Sequence, residues 1–343
     1  MIVCAHNFKL IFYIKIIFYL PESHLHDIIG RIAFWEIILS GNKFIKTLKT
    51  MRKSYWLYIM CIPGVLYFLL FRYLPMWGVL IGFQDYNIFR GFSASPWVGL
   101  KHFQNFFNSS SFAPLMINTL VLSLYSIIFA FPAPIILALF LNEIQSKIYK
   151  RTIQTMIYVP HFISWVIVAS ISFMLLNSTG PINGLIGIFG KKSVAFLTEA
   201  YTFRPIIIIQ TIWKESGWST IVFLAALSNV DIEQYEAAIV DGAGRFRQVW
   251  HITLPAIRST IVILLILRMG NVLDNGFDQI FLMSNAGNRG VSDVLDTFTY
   301  REGIINGFFS YTTAIGLFKS VIGMFLIMGS NKIAKQAGDS GIF

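Results

Sequence analysis

Six ionisable side chains interrupt the most apolar stretches of this 343-residue sequence: Lys214, Glu215, Arg268, Asp274, Asp278 and Lys319. A charge inside an apolar helix is costly, and such residues mark solute paths, ion relays or ties between helices. A catalyst needs more company than these residues have. The sequence holds no H-E-x-x-H, no paired C-x-x-C and no G-x-S-x-G, the spacings that build zinc, redox and acyl-transfer sites. Its nearest approach to a phosphate-cradling loop is Gly190-Lys191-Lys192-Ser193, with Leu185 where G-x-x-x-x-G-K-[ST] requires its first glycine. His161, beside Pro160, reads as a hydrogen-bonded packing residue rather than a ligand. Cys4 and Cys61 are too few for a disulfide framework or a four-thiolate metal site. The expectation is therefore no catalytic residue, no metal and no cofactor bound by this chain.

The elements that must position these side chains follow from composition. Hydrophobic residues make up 55% of the chain, aromatic residues 16% and charged residues 13%, against about 25% charged in an average soluble domain. The mean hydropathy is +0.65. Such a chain has more apolar surface than one core can hide, so lipid must cover the rest, and an all-α integral membrane fold is expected. A net charge of +10 does not point to nucleic acid. The basic residues punctuate long apolar runs and read as topology signals.

A bilayer core of about 30 Å takes roughly 20 apolar helical residues. Six windows meet that need: 55–74, 115–141, 153–176, 205–227, 260–284 and 311–329. The second carries no charge, and its Pro132 and Pro134 predict a kink. With the N-terminal side inside, the inner segments hold 13 Lys/Arg in 68 residues and the outer ones 7 in 94. That bias puts both termini and loop 228–258 in the cytoplasm. The domains expected are an extension over 1–50, a membrane domain over 51–336 and a tail over 337–343. Residues 1–42 are open between interfacial helices, a short extra hairpin and a start of translation at Met51.

Polar residues inside the windows fall into stripes. If 264–279 is helical, Arg268, Asn271, Asn275 and Asp278 or Gln279 share one face. Gln210, Trp213, Lys214 and Gly217 form a comparable face in the fourth window, with Glu215 turned about 100° away, so that Lys214 and Glu215 are not expected to pair. Pathway lining is one reading. The other is structural pairing, with Lys214 against Asp274 or Asp278 and Arg268 against backbone carbonyls. Trp77, Trp97, Trp165 and Trp218 read as interfacial or packing residues.

Loop 228–258 has its own logic. Asp231 suits an N-cap with Gln234 three positions on, and Gly242 with Gly244 supplies a stop, which predicts a helix of about three turns. Ile232, Tyr235 and Ile239 form a narrow apolar stripe on it, while Ala237 and Ala238 keep it slim. A second short helix, Arg245 to His251, leads through Leu254 and Pro255 into the fifth window. Shape alone leaves a membrane surface and a partner protein equally open as the stripe's cover.

Glu236-Ala237-Ala238, three residues, Gly242, nine residues and Ile252-Thr253-Leu254-Pro255 resemble the EAA loop, E-A-A-x3-G-x9-I-x-L-P, of permease subunits of binding-protein-dependent ABC importers. From about Lys53 to Gln336 the chain resembles the complex-carbohydrate branch of that family, through Tyr73-Leu-Pro75-Met-Trp-Gly78, Ile212-Trp213-Lys214, Gly276-Phe-Asp-Gln-Ile280 and Asp293-Val-Leu-Asp-Thr297. The resemblance implies a six-span permease fold in the bacterial cell membrane and an oligosaccharide cargo. It also implies a second, similar permease, two cytoplasmic ATPase subunits that carry ATP and Mg, and an extracytoplasmic solute-binding protein. Helix 232–240 would then be a coupling helix seated in an ATPase cleft. Ile232, Tyr235, Ala238 and Ile239 would supply the packing surface, Glu236 a polar contact or cap and Gly242 the turn, with Ala237, Asp241, Leu254 and Pro255 completing the ATPase-coupling set. Lys214 and Arg268 would suit an acidic saccharide. A non-sugar solute and an ion-coupled secondary transporter are the competing expectations, although no internal repeat of the kind such transporters carry is seen.

Overall fold

A computed structural model describes residues 55–338 and 341–342. The extension 1–50, with Cys4 and the apolar stretch 8–20, lies outside the described residues, as do 339–340 and 343 of the tail. The fold divides between Trp77 and Gly78 into two units, the first described over residues 55–77.

Helices dominate, as they must where lipid offers no hydrogen-bond partner to the backbone. Among the described residues the extended pairing is a single bridge, Gln84 with Trp97. The helices that matter here are α1 (Tyr55–Phe68), α2 (Lys101–Phe107), α3 (Phe112–Tyr125), α4 (Pro132–Glu143), α5 (Lys147–Tyr158), α6 (Trp165–Leu176) and α7 (Pro181–Ile188). They are followed by α8 (Ala200–Leu227), α9 (Ile232–Val240), α10 (Arg245–Gln248), α11 (Arg258–Gly270), α12 (Phe277–Met283), α13 (Leu295–Tyr300) and α14 (Phe309–Gln336).

Prolines account for three of the four π-turns among the described residues; the fourth, Arg301–Ile305, has no proline after it. π-Turns at Leu69–Tyr73, Ser126–Ala130 and Val249–Thr253 each stop one residue short of a proline, at Pro75, Pro132 and Pro255. Proline has no N–H and its ring clashes with the carbonyl four residues back, so the chain shifts to i→i−5 bonding just before it. Phe131 N–H thus donates to Ser126 O at 2.9 Å. Helical run Phe112–Glu143 stays long and apolar enough to cross a bilayer despite both prolines.

Among the described residues, four helical runs are long and apolar enough to cross: Tyr55–Phe83, Phe112–Glu143, Trp165–Ile188 and Phe309–Gln336. Arg245–Ala256 and Arg258–Gly270, which meet at a bend of 61°, make a fifth if the pair is counted as one span. The window at 153–176 is broken, because Val159–Phe162 forms a 3-10 turn around Pro160 between α5 and α6. The window at 205–227 is covered by the 28-residue α8, whose Gln210, Lys214, Glu215 and Ser216 lower its apolarity. The window at 260–284 ends its helix at Gly270 and restarts at Phe277. Arg268, Asn271, Asn275 and Asp278 therefore do not share one helical face.

Three apolar clusters hold the larger unit together. Phe106, Leu115, Leu273, Leu295 and Ile315 join α2, α3, α13 and α14. Leu122, Ala169, Phe203, Ile207 and Ile280 join α3, α6, α8 and α12, and Ala138, Phe223 and Leu227 pack α4 on α8 beside Ile257. Gly217 is needed for a close approach: a Cβ there would lie 1.8 Å from Ile157 O of α5. Its place on the polar face of α8 is set by that helix crossing.

Candidate functional site: a surface elbow and a polar chamber

The elbow is built from local signals. Asp231 Oδ1 accepts the Glu233 N–H at 3.1 Å and starts α9, although the reciprocal bond from Gln234 is not formed. Gly242, at φ +73°, ends it. Its N–H donates to Ile239 O at 3.0 Å, and the Ala243 N–H donates to Ala238 O at 2.8 Å, the paired closure of a helix ending in a left-handed residue. Ile232, Ile239 and Val240 are exposed, at 70%, 62% and 87%. Tyr235 and Ala238 are half-buried, so the expected single stripe is split: Tyr235 turns back onto its own loop. Glu236, Ala237 and Asp241 are exposed.

Beyond Gly244, the second helix is longer than the sequence suggests. α10 continues through the π-turn and Leu254–Ala256, with Pro255 in its first turn. Phe246 and Trp250 stack at 6.4 Å with 15° between their planes, both exposed. The Tyr235 and Thr253 hydroxyls lie 2.9 Å apart, and Thr253 is buried. α9 is thereby tied to the bend that opens α11.

α11 runs from this bend to a chamber. Its cavity of about 160 Å³ is lined by Ser126, Trp165, Glu215, Arg268, Asp274 and Asn275, among others. Arg268 donates to the Ser126 hydroxyl at 2.6 Å, rather than to backbone carbonyls. Asn275 donates to Thr119 O at 3.2 Å and accepts from the Ser123 hydroxyl at 3.0 Å. Gln279 donates to Ile207 O at 2.8 Å and to Gln210 Oε1 at 2.9 Å. Satisfied amides of this kind hold a polar wall rigid.

At one edge stands a coupled group. The buried Lys214 ammonium donates to His161 O at 2.8 Å and Glu215 Oε1 at 3.0 Å, and lies 5.1 Å from the Trp165 ring centroid. Glu215 Oε2 takes the His161 Nδ1 at 2.8 Å, and that imidazole stacks on Trp218 at 4.8 Å. Lys214 and Glu215 are partners after all. The break at Pro160 brings His161 between them, and both long side chains swing toward it. Lys214 pairs with neither Asp274 nor Asp278. Asp274 is 3.9 Å from Lys319, which also pairs with Asp296.

Of the six pathway residues expected from sequence, Arg268 and Asn275 line the chamber. Asn271 lines a neighbouring groove of about 890 Å³ with Asp274, Asp296 and Lys319. Lys214 stands behind Trp165 and Glu215. Trp213 is 45% exposed, and Asp278 is exposed in the first turn of α12; neither is among the chamber's lining residues. Trp165, Ser126 and Glu215 were not singled out as lining. Ser126 sits in the charge-free window, where only its polarity among apolar neighbours could have marked it.

The profile of the family described as binding-protein-dependent transport system inner membrane component matches residues 130–335. Protein LplB of Bacillus subtilis (strain 168) is 56% identical over 307 residues, covering 89% of this chain and 96% of that protein. The polygalacturonan/rhamnogalacturonan transport system permease protein YteP of the same organism is 50% identical over 308 residues, covering 90% and 96%. A chain in the crystal structure of a bacterial alginate ABC transporter in complex with alginate pentasaccharide-bound periplasmic protein superimposes with a TM-score of 0.79 at 38% identity, covering 86% of this chain and 99% of that one. The family match over most of the described helices, the close full-length relatives and the shared fold agree: the chain belongs to the inner-membrane components of binding-protein-dependent transport systems.

Proposed function

We propose that this subunit forms half of the membrane path for an acidic oligosaccharide derived from a uronate-rich polysaccharide, and that ATP hydrolysed on separate subunits drives the import. The observation that carries the cargo reading is the 50% identity, over nine-tenths of the chain, to a permease named for polygalacturonan and rhamnogalacturonan. The likeness to importers of alginate, described as an acidic polysaccharide, supports it, as does Arg268 on the chamber wall. A guanidinium in a low-dielectric wall favours a carboxylate through charge-assisted hydrogen bonds.

The assembly in this reading contains a second, similar permease, two ATPase subunits carrying ATP and Mg, and an extracytoplasmic solute-binding protein. Both termini and the elbow are cytoplasmic, and the chain crosses the membrane six times. Ile232 and Ile239 seat α9 against an ATPase, and closure of the ATPases displaces it. The Tyr235–Thr253 contact and the closure at Gly242 carry that displacement into the 61° bend. α11, 13 residues long and so about 20 Å at 1.5 Å per residue, delivers it to Arg268 and the chamber.

Uptake of labelled oligogalacturonates by cells with and without this gene tests the cargo. Loss of that uptake, with neutral oligosaccharide uptake retained, is expected. Unchanged oligogalacturonate uptake in cells lacking this gene, with no redundant importer expressed, contradicts the reading.

A further inference from the structure

A second cavity, of about 370 Å³, opens in the segment that follows α12, lined by Phe281, Asn285, Arg289, Ser292, Asp293 and Arg301 among others. Its volume lies within the range of small-ligand clefts, about 300–1,000 Å³. In the orientation proposed above, segment 285–310 faces the outside, where the solute arrives.

Most of its polar groups are already committed. Arg301 donates to both Asp293 oxygens, at 3.1 and 2.7 Å. That bonding, with the neighbouring carboxylates, holds the guanidinium above its ordinary pKa. Asp293 also accepts from the Thr297 hydroxyl at 2.9 Å. The Asn285 side chain donates to Leu197 O at 2.8 Å and accepts from Gly287 N–H at 3.0 Å. Two groups are left over. Ser292 is fully buried, yet its hydroxyl has no hydrogen-bond partner among the described residues, a rare state in native proteins. Arg289 is exposed at the cavity, with no carboxylate partner among the described residues. Phe281, 45% exposed, offers an aromatic surface held in place by stacking on Phe277 at 5.1 Å.

One unmatched cation, one unmatched buried hydroxyl and one aromatic face are the complement of a sugar ring that bears a single carboxylate. We propose that this cavity is an outer subsite for one uronate residue of the incoming saccharide, Arg289 pairing with its carboxylate, Ser292 bonding a ring hydroxyl and Phe281 covering the ring's apolar side. The subsite rests on the acidic-cargo reading. A protein loop is the alternative occupant, but a concave site with a buried hydroxyl suits a small ring better than a docking face.

The test uses the intact importer in lipid nanodiscs with its binding protein, and compares wild type, Arg289→Gln, Arg289→Lys and Ser292→Ala. The cargoes are a uronate oligomer and the same oligomer with its carboxyls reduced. Arg289→Gln should raise the half-saturating concentration of the uronate oligomer about tenfold, the size of one charge-assisted hydrogen bond. It should leave the reduced oligomer unaffected, Arg289→Lys should restore most of the loss, and Ser292→Ala should weaken both cargoes. An unchanged half-saturation in Arg289→Gln, with wild type transporting the uronate oligomer, overturns the subsite alone. Equal loss for both cargoes, with weakened cross-linking of the empty binding protein, overturns it in favour of protein docking. A wild-type importer that moves no uronate oligomer overturns the acidic-cargo reading and the subsite together.

Discussion

The Tyr235 hydroxyl lies 2.9 Å from the Thr253 hydroxyl, joining the middle of the exposed helix α9 to the buried last residue of the π-turn before Pro255. The two positions are 18 residues apart, and Gly242 folds the chain between them. The contact ties α9 to the start of α11, and in the proposed coupling a push on α9 would reach α11 through it.

Removing that contact should loosen the elbow without unfolding the protein. Tyr235→Phe gives up one hydrogen bond, about 0.5–1.5 kcal/mol, and leaves a buried hydroxyl on Thr253 that retains only a long bond, 3.4 Å, to Gln248 O. Faster hydrogen exchange confined to 232–253, with less transport per ATP hydrolysed in the assembled complex, is the expected outcome. Unchanged exchange in that segment would show that the contact does not hold the elbow.

At Gly217 any side chain is expected to fail. The Ile157 carbonyl leaves no room for a Cβ, and it belongs to helix backbone that cannot yield like a side chain. Gly217→Ala should cost at least the roughly 1–3 kcal/mol typical of overpacking and lower the thermal midpoint of the detergent-solubilised subunit. Gly184→Ala, where the space is open, is the control.

The Lys214–Glu215 pair gives a non-additive expectation. Glu215→Gln leaves the buried Lys214, 6% exposed, without its carboxylate and with His161 O as its remaining close acceptor. Glu215 itself is partly solvated, so the cost should fall toward or below the lower end of the roughly 3–5 kcal/mol seen when a buried pair loses one partner. Lys214→Met combined with Glu215→Gln should recover much of it. Thermal midpoints of both single variants and the double variant complete the cycle, and simple additivity would contradict the coupling.

Legibility in the sequence divides along physical lines. The elbow was readable because its signals are local: an Asp that caps, a glycine that takes φ +73° and a proline that begins a turn. The chamber was readable only in part. Extrapolating one helix through 264–279 put Arg268, Asn271, Asn275 and Asp278 on a single face, whereas the helix stops at Gly270 and restarts after Gly276, at φ +80°, and of the four Arg268 and Asn275 meet at the chamber. No proline marks that break. Lys214 and Glu215 were separated by a rule for side chains of neighbouring helix positions, whereas His161, brought in by a break 53 residues earlier, draws both together. Gly217 was grouped with Gln210, Trp213 and Lys214 on one face, but helical phase does not say which neighbour a face meets.

On the chamber wall, Arg268→Gln should depress uptake of an acidic oligomer about tenfold while sparing a neutral one, since it deletes the charge-assisted part of the interaction. Equal loss for both cargoes would assign Arg268 to holding α3 through Ser126 instead.

The elbow as the point where work enters the chain is tested most directly at Gly242. In an importer assembled with its ATPase subunits and binding protein, Gly242→Trp forces a bulky side chain onto a left-handed backbone at the end of α9. Measured in proteoliposomes with saturating solute, this complex should assemble in normal amounts yet lose solute-stimulated ATP hydrolysis and transport together. Full stimulation and transport by a correctly assembled Gly242→Trp importer would contradict the account.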